Sequence, residues 1–375
     1  MSQILTQLLA YNEPEEVTQK IKEWSAQGRK LVGWLCRYAP QELIHAAGLH
    51  PVRLLGNIQE EHAIGDAYLS SITCPYCRSC IDAALQGHYQ YLTGLVSTNS
   101  CCSMNRLYDV WSHYLKTPLV ILLDLPYKSQ NNSIMAFTSE LNRFKKALEE
   151  VSGQEITEGK IRSSIQLFNQ TRKLLERLYN LRRESLPPIT GAETLGVILA
   201  GQVLPREEYN HLLELLLQEL PGRPAYPDAI RARLLVSGSI LTDPRYIQAI
   251  ENQGAAVVAD DLCTGTRYFR FQVATSGDLM EALSRAYLNS IPCSRMIDRP
   301  RRIDHILKLV EEYQVDGVIY SVLKFCQPYQ YDLLALEEKL KAQGTPLLKL
   351  EREYSLSGLG QLKTRVQAFL EIIQP

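Results

Sequence analysis

The sequence predicts an α/β fold: two doubly wound parallel-sheet domains with a helical segment between them. Three observations carry this. Short apolar runs alternate with helical stretches near the amino terminus, a second such alternation occupies the carboxyl-terminal third, and the strand pattern disappears between the two.

After an amphipathic opening segment, residues 30–35 (KLVGWL) form a buried-strand pattern, and residues 40–47 open a helix with Pro-Gln-Glu. A second apolar run covers 52–55. A cysteine-bearing helix is expected from about Pro75, then a strand over 92–97, a helix over 102–114 and a strand over 119–124. Apolar runs separated by helices predict a parallel βαβ domain, placed at residues 1–132.

Residues 133–229 are expected to hold a helical region and linker. Within them Ile161, Ile165, Phe168, Leu175 and Leu178 recur at helical spacing, which puts Arg172, Lys173, Arg177 and Arg182 mostly on a solvated face. A basic docking face for a partner is the second reading of those charges. The prolines and glycine of 220–227 (LPGRPAYP) mark the linker. Residues 230–375 then repeat the plan, with apolar runs at 233–237, 256–259, 317–321 and 346–350 and a closing amphipathic helix over 359–373. The shared element order points to two Rossmann- or flavodoxin-like domains related by architecture, without a residue-level repeat.

A chain of 375 residues exceeds one small core, and 45% hydrophobic with 22% charged residues is an ordinary globular composition. With 40 basic and 41 acidic residues the formal net charge is -1, so no global field favours nucleic acid. The amino terminus MSQILTQLLAYNEPEE has no basic leader region, and no apolar run reaches membrane-spanning length. The expectation is a cytoplasmic protein with no nucleic-acid or membrane partner. Nine cysteines, an odd number, argue against a disulfide framework in a reducing compartment and direct attention to metal or thiol chemistry.

In open parallel sheets ligands bind outside the carboxyl ends of the strands. Cys36 follows the first predicted strand; Cys74, Cys77 and Cys80 lie on the crossover after the second; Cys101 and Cys102 follow the third. In the later half Cys263 follows the run ending Asp260-Asp261-Leu262, Cys293 sits in the next crossover, and Cys326 follows the strand at 317–321. Domains that face each other with their strand ends inward would bring these sulfurs into one cleft.

Thiolates suit zinc or iron-sulfur clusters. One close trio followed by dispersed single cysteines departs from the paired spacing of structural zinc. The trio resembles the start of a bacterial ferredoxin run, but Ile81-Asp82-Ala83-Ala84 stands where the fourth cysteine and proline belong. Cys74-Pro75-Tyr76-Cys77 spells a glutaredoxin motif, yet it lies inside a larger domain with further cysteines nearby. His45, His50 and His113 form no metal-binding pair and are expected to be structural. Ser237-Gly238-Ser239 fits either an anion-binding turn or a tight connection.

Taken together, the segments 38–48 (YAPQELIHAAG), 74–80 (CPYCRSC), 99–104 (NSCCSM), 237–239 (SGS), 260–269 (DDLCTGTRYF) and 324–326 (KFC) resemble the 2-hydroxyacyl-CoA dehydratase and benzoyl-CoA reductase superfamily, especially its double-cubane cluster branch. They run in order across nearly the whole chain. The resemblance implies two α/β domains with an iron-sulfur cluster between them. For the double-cubane branch it implies an eight-iron, nine-sulfide cluster held by Cys74, Cys80, Cys101, Cys263, Cys293 and Cys326. The chain departs from the expected pattern at Cys77 and Cys102, which become the substitute ligands for their neighbours, and Cys36 is surplus.

The same resemblance implies a homodimer, a small-molecule substrate and an ATP-hydrolysing iron-sulfur reductase as electron donor. No G-x-x-x-x-G-K-[ST] phosphate loop occurs in the sequence, in keeping with ATP hydrolysis on that partner. Arg267, Tyr268 and Lys324 lie beside proposed ligands and are candidates for tuning potential and supplying protons. The expected activity is therefore an ATP-dependent iron-sulfur reductase. The alternatives are a 2-hydroxyacyl-CoA dehydratase subunit with one four-iron cluster, and a noncatalytic electron carrier or cluster scaffold.

Overall fold

The computed structural model describes residues 2–57, 64–226 and 230–373. Pro227 of the predicted linker and the predicted boundary after residue 229 lie outside the described residues. The first part of the chain runs α1 (Gln3–Ala10), α2 (Pro14–Ala26), β1 (Leu31–Trp34), α3 (Gln41–Ala46), β2 (His50–Arg53), α4 (Gly65–Tyr68), α5 (Pro75–Leu85), β3 (Leu92–Thr98), α6 (Cys102–Tyr114) and β4 (Leu119–Leu123). Helices α7 (Asn131–Ser152), α8 (Glu158–Leu181), α9 (Gly191–Ala200) and α10 (Arg206–Glu219) follow. The last part runs β5 (Ala232–Gly238), α11 (Pro244–Glu251), β6 (Ala255–Asp261), α12 (Thr266–Phe269), α13 (Leu279–Asn289), α14 (Arg299–Glu312), β7 (Gly317–Leu323), α15 (Gln327–Ala342), β8 (Leu347–Arg352) and α16 (Leu359–Ile373).

Each half builds a parallel four-stranded sheet, ordered β2-β1-β3-β4 and β6-β5-β7-β8, so the two halves share one topology. Strands β1, β6 and β7 are buried along their whole length, which is why they appear as continuous apolar runs rather than alternating ones. Strand order reverses between β1 and β3 and again between β5 and β7, and the crevices at those reversals open at the carboxyl ends of the strands. All eight predicted strands are present, each displaced by no more than a few residues at its ends.

The helical middle joins the two sheets. Helix α8 packs on α3 of the first half and on α12 and α13 of the second, while α7 packs on β4, α3 and α13. Helix α1 packs against α9 and α10, so the first helix lies with the helical middle. This clasping overturns the expected solvated face of α8 at two positions. Lys173 and Arg177 are exposed, but Arg172 and Arg182 are buried. Arg172 pairs with Glu42 and covers the ring of Phe271 at 4.2 Å, and Arg182 donates to the Val257 carbonyl at 2.6 Å. The helix keeps a solvated stripe through Ser163, Gln166, Gln170, Lys173, Arg177 and Asn180, while Arg172 and Arg182 lie off that stripe, buried against partners distant in sequence. Among the described residues no helix is long and apolar enough to cross a membrane.

Candidate functional site

Three of the nine cysteines occupy the same kind of position. Cys74, Cys101 and Cys326 are the N-cap residues of α5, α6 and α15. Prolines in the first turns of α5 and α15 fix two of these starts, since proline suits a position whose N–H has no helical acceptor. A helix N-terminus carries partial positive charge and unpaired N–H groups, so it favours a thiolate over a thiol. Helix α5 then carries Cys77 and Cys80, both buried.

Cys74, Cys77, Cys80, Cys101, Cys293 and Cys326 lie close enough to influence one another electrostatically. Burial pushes the Cys101 thiol up to about 12, and Cys74 and Cys293 add to the effect. Cys326 is raised well above the usual thiol range by burial first, then by Cys74, Cys101 and Cys293. Cys80 is raised by burial, with Cys74 adding. A hydrogen bond between Cys74 and Cys77 lowers the first and raises the second, and the Cys77 sulfur also lies 3.7 Å from Met104 Sδ. Arg267 and Tyr329 each sense both Cys293 and Cys263. Cys36 reaches the margin of this group through Tyr38 and Arg53, whereas Cys102 is exposed.

Cations and donors surround these thiols. Arg53 donates to the Cys263 sulfur at 3.4 Å, to the Cys263 carbonyl at 3.0 Å and to Gln202 Oε1 at 3.1 Å, and stacks over Trp34 at 4.9 Å. The Cys293 sulfur lies 3.6 Å from the Tyr329 hydroxyl, and its backbone N–H donates to Tyr38 at 3.1 Å. Burial alone would raise the Cys293 thiol, but the Arg267 charge holds it below the ordinary range. Arg267 is balanced by Asp261, which also receives Arg302 at 2.8 Å; Arg302 reaches Asp332 at 2.6 Å. Arg53 and Arg352 have no carboxylate partner among the described residues, although Arg352 senses Cys74 and Cys326. Ser97 and Thr98 at the end of β3, and Ser294 beside Cys293, bury hydroxyls that have no hydrogen-bond partner among the described residues.

Unbalanced cations and orphaned donors around a set of thiols fit an anionic, sulfur-rich group. A single metal ion fits less well: among the described residues no three His, Cys, Asp or Glu side chains are grouped tightly enough to share one. A multi-iron cluster spreads its thiolates over its own width, one to each iron, and deprotonates them on binding.

Of the sequence candidates for supporting roles, Arg267 lies buried among the thiols. The Tyr268 hydroxyl faces away from them, donating to Gln41 Oε1 at 2.9 Å and receiving Arg206 at 3.1 Å. Lys324 pairs with Glu353 at 2.8 Å on the partly exposed surface. Ser237-Gly238-Ser239 is a tight connection: Gly238 has φ +131° and faces the Ser321 backbone, while the two hydroxyls bond Asp261 and the Leu323 N–H. His45 lies 3.1 Å from both Glu207 and Ser164, His50 bonds the Val203 carbonyl at 2.7 Å, and His113 packs edge-on to Tyr114. Arg53, Tyr38 and Tyr329 were not singled out from the sequence. Arg53 closes β2 at its carboxyl end and Tyr329 falls in the first turn after Cys326, positions that sequence reading can flag.

A model of the 2-hydroxyglutaryl-CoA dehydratase D-component family matches residues 36–373. The chain belongs to this family. Its relatives include a benzoyl-CoA reductase subunit of Thauera aromatica, 28% identical over 353 residues that cover 92% of this chain and 91% of the relative. A putative dehydratase subunit of Escherichia coli K12, YjiM, is 29% identical over 369 residues, covering 94% of each chain. The beta subunit of (R)-2-hydroxyglutaryl-CoA dehydratase from Acidaminococcus fermentans is 26% identical over 358 residues, again covering 94% of each. Membership in the D-component family makes this chain an enzyme component of the dehydratase and reductase type.

Proposed function

We propose that the chain is the iron-sulfur catalytic component of an ATP-dependent reductase, which binds a double-cubane eight-iron, nine-sulfide cluster and reduces a small unsaturated molecule. The observation that carries this reading is the division of buried or half-buried thiols between the two halves: Cys74, Cys80 and Cys101 from the first, Cys263, Cys293 and Cys326 from the second. That set suffices for two joined cubanes and exceeds the need of one four-iron cluster. The bound cluster would supply electrons at low potential.

The chain's own groups have definable tasks. The six thiols hold the cluster, with Cys77 and Cys102 as the substitute ligands. Arg53 and Arg267 place positive charge beside it and so favour the form with added electrons. The Tyr329 hydroxyl places an exchangeable proton at the Cys293 sulfur. Electrons are assigned to a separate ATP-hydrolysing iron-sulfur protein, and the assembly to a homodimer in the cytoplasm.

The relatives' names favour a second reading, a 2-hydroxyacyl-CoA dehydratase subunit, to which the resemblance assigns one four-iron cluster. Iron and acid-labile sulfide counted after anaerobic purification separate the two. About eight irons per chain supports the double cubane, about four supports the dehydratase, and zinc without iron overturns both. Under the first reading Cys263→Ser and Cys293→Ser each lose part of the cluster. A noncatalytic carrier or scaffold would retain iron yet show no turnover with its reductase.

A further inference from the structure

The turn after β1 together with α3, α8, α10, α12 and α13 borders a small cavity lined by Arg37, Gln41, Arg172, Arg206, Tyr268 and Tyr287, among others. It leaves about 10 Å³ for the centre of a water-sized occupant, room for one group of that size. We propose that this cavity binds one small monatomic anion, a free halide.

Charge carries the proposal. Arg37 and Arg206 are 4% and 3% exposed, and neither has a carboxylate partner among the described residues. Arg172, the third guanidinium of the wall, is balanced by Glu42, which also accepts from Tyr287. Neither guanidinium is therefore neutralised by a contact, although Arg206 helps to lower the neighbouring Glu207 carboxyl from a distance. Nε and Nη1 of Arg206 and Nε of Arg37 are buried with no hydrogen-bond partner among the described residues. Arginine cannot shed its proton to escape burial, so an unpaired buried guanidinium needs a counter-ion. Water satisfies the N–H groups but leaves the charge in place.

The wall is also built to hold its shape. Arg206 is fixed by Gln41 at 3.3 Å and Tyr268 at 3.1 Å, with its guanidinium 4.4 Å over the Phe168 ring. Arg37 is anchored by Ser290 and by the Ile291 carbonyl at 2.8 Å, in the segment that leads to Cys293. The anion thus adjoins the base of the Cys293 loop. No cysteine lines the cavity, so the site stands or falls independently of the cluster reading.

The test uses the full-length protein crystallised without halide and soaked in bromide, with anomalous scattering recorded at the bromine edge. Melting titrations with bromide and with formate run alongside at constant ionic strength. The expected result is an anomalous peak between Arg37 and Arg206 and a saturable rise in melting temperature, with affinity weakened about tenfold or more in Arg206→Gln. Formate, too large for the room available, should leave bromide binding undisturbed, and displacement of bromide by formate would overturn the halide assignment. Arg37→Gln provides a second variant should Arg206→Gln fold poorly, and the crystal measurement needs neither. A water at that position, no bromine peak and no saturable anion response overturn it.

Discussion

Arg53 grips Cys263 twice, with one guanidinium nitrogen 3.4 Å from the sulfur and another 3.0 Å from the carbonyl oxygen of the same residue. With no carboxylate to balance it among the described residues, this cation acts on whatever negative charge the sulfur carries. In the cluster reading, Arg53→Gln removes the charge and weakens the hydrogen bonding. A charge-assisted hydrogen bond is worth about 1.5–3 kcal/mol, so the reduction midpoint should fall by on the order of 100 mV. Arg53→Lys, which keeps the charge, should recover part of the shift. An anaerobic potentiometric titration followed by electron paramagnetic resonance reads both; equal midpoints in wild type and Arg53→Gln would remove Arg53 from this role.

Gly265, two residues after Cys263, has no room for a side chain. A Cβ there would lie 1.8 Å from Asp260 Oδ1. Asp260 cannot yield easily, because it accepts from the Thr266 N–H at 2.9 Å, the Leu262 N–H at 3.3 Å and the Tyr179 hydroxyl. Gly265→Ala should therefore destabilise the chain by about 3 kcal/mol or more and displace the Cys263 loop. Denaturant unfolding gives the first quantity and iron content of the anaerobically isolated variant the second.

Phe325 adopts φ +61°, a left-handed conformation that is unfavourable for a bulky residue, immediately before Cys326. The residue is 39% exposed, so its burial offsets this only in part. Phe325→Asn should be neutral or stabilising by up to about 1 kcal/mol, because asparagine tolerates this region. Phe325→Val should destabilise by about 1–2 kcal/mol. Paired urea curves check the order of the three proteins.

Burial, only partly offset by its bond to the Val203 carbonyl, lowers His50 from 6.5 to about 4. Between those values the unfolded chain binds a proton at His50 that the folded chain refuses. Stability is therefore complete for this group above pH 6.5 and is lost as pH falls through 4, by roughly 3 kcal/mol in all. His50→Gln should flatten that share of the slope, which unfolding free energies at pH 7 and pH 5 would reveal; an unchanged slope would exclude His50 as its source.

Strand runs and helix starts were legible in the sequence because they are local. The helix over Cys102–Tyr114 is found where its periodicity places it, and Pro75 announces the start of α5. The placement of Cys36, Cys101, Cys263 and Cys326 shortly after the ends of β1, β3, β6 and β7 was legible too, because the strands themselves were. What escaped was long-range. Arg172 and Arg182 look like surface charges until Glu42 and Val257 come beside them, and nothing local to Arg53 reveals that it will reach Cys263, some two hundred residues along the chain. The anion cavity is hidden for the same reason: Arg37 and Arg206 meet only after the helical middle has closed over the first sheet.

The distribution of N-cap cysteines also sets an order in time. Cys74 and Cys101 leave the ribosome early, whereas Cys326 cannot cap α15 until nearly the whole second sheet has been synthesised. On the proposed ligand set, a nascent or truncated chain offers thiols from one side only. Cofactor loading would then serve as a maturation checkpoint, and the iron content of a preparation would report how many chains had brought their two halves together.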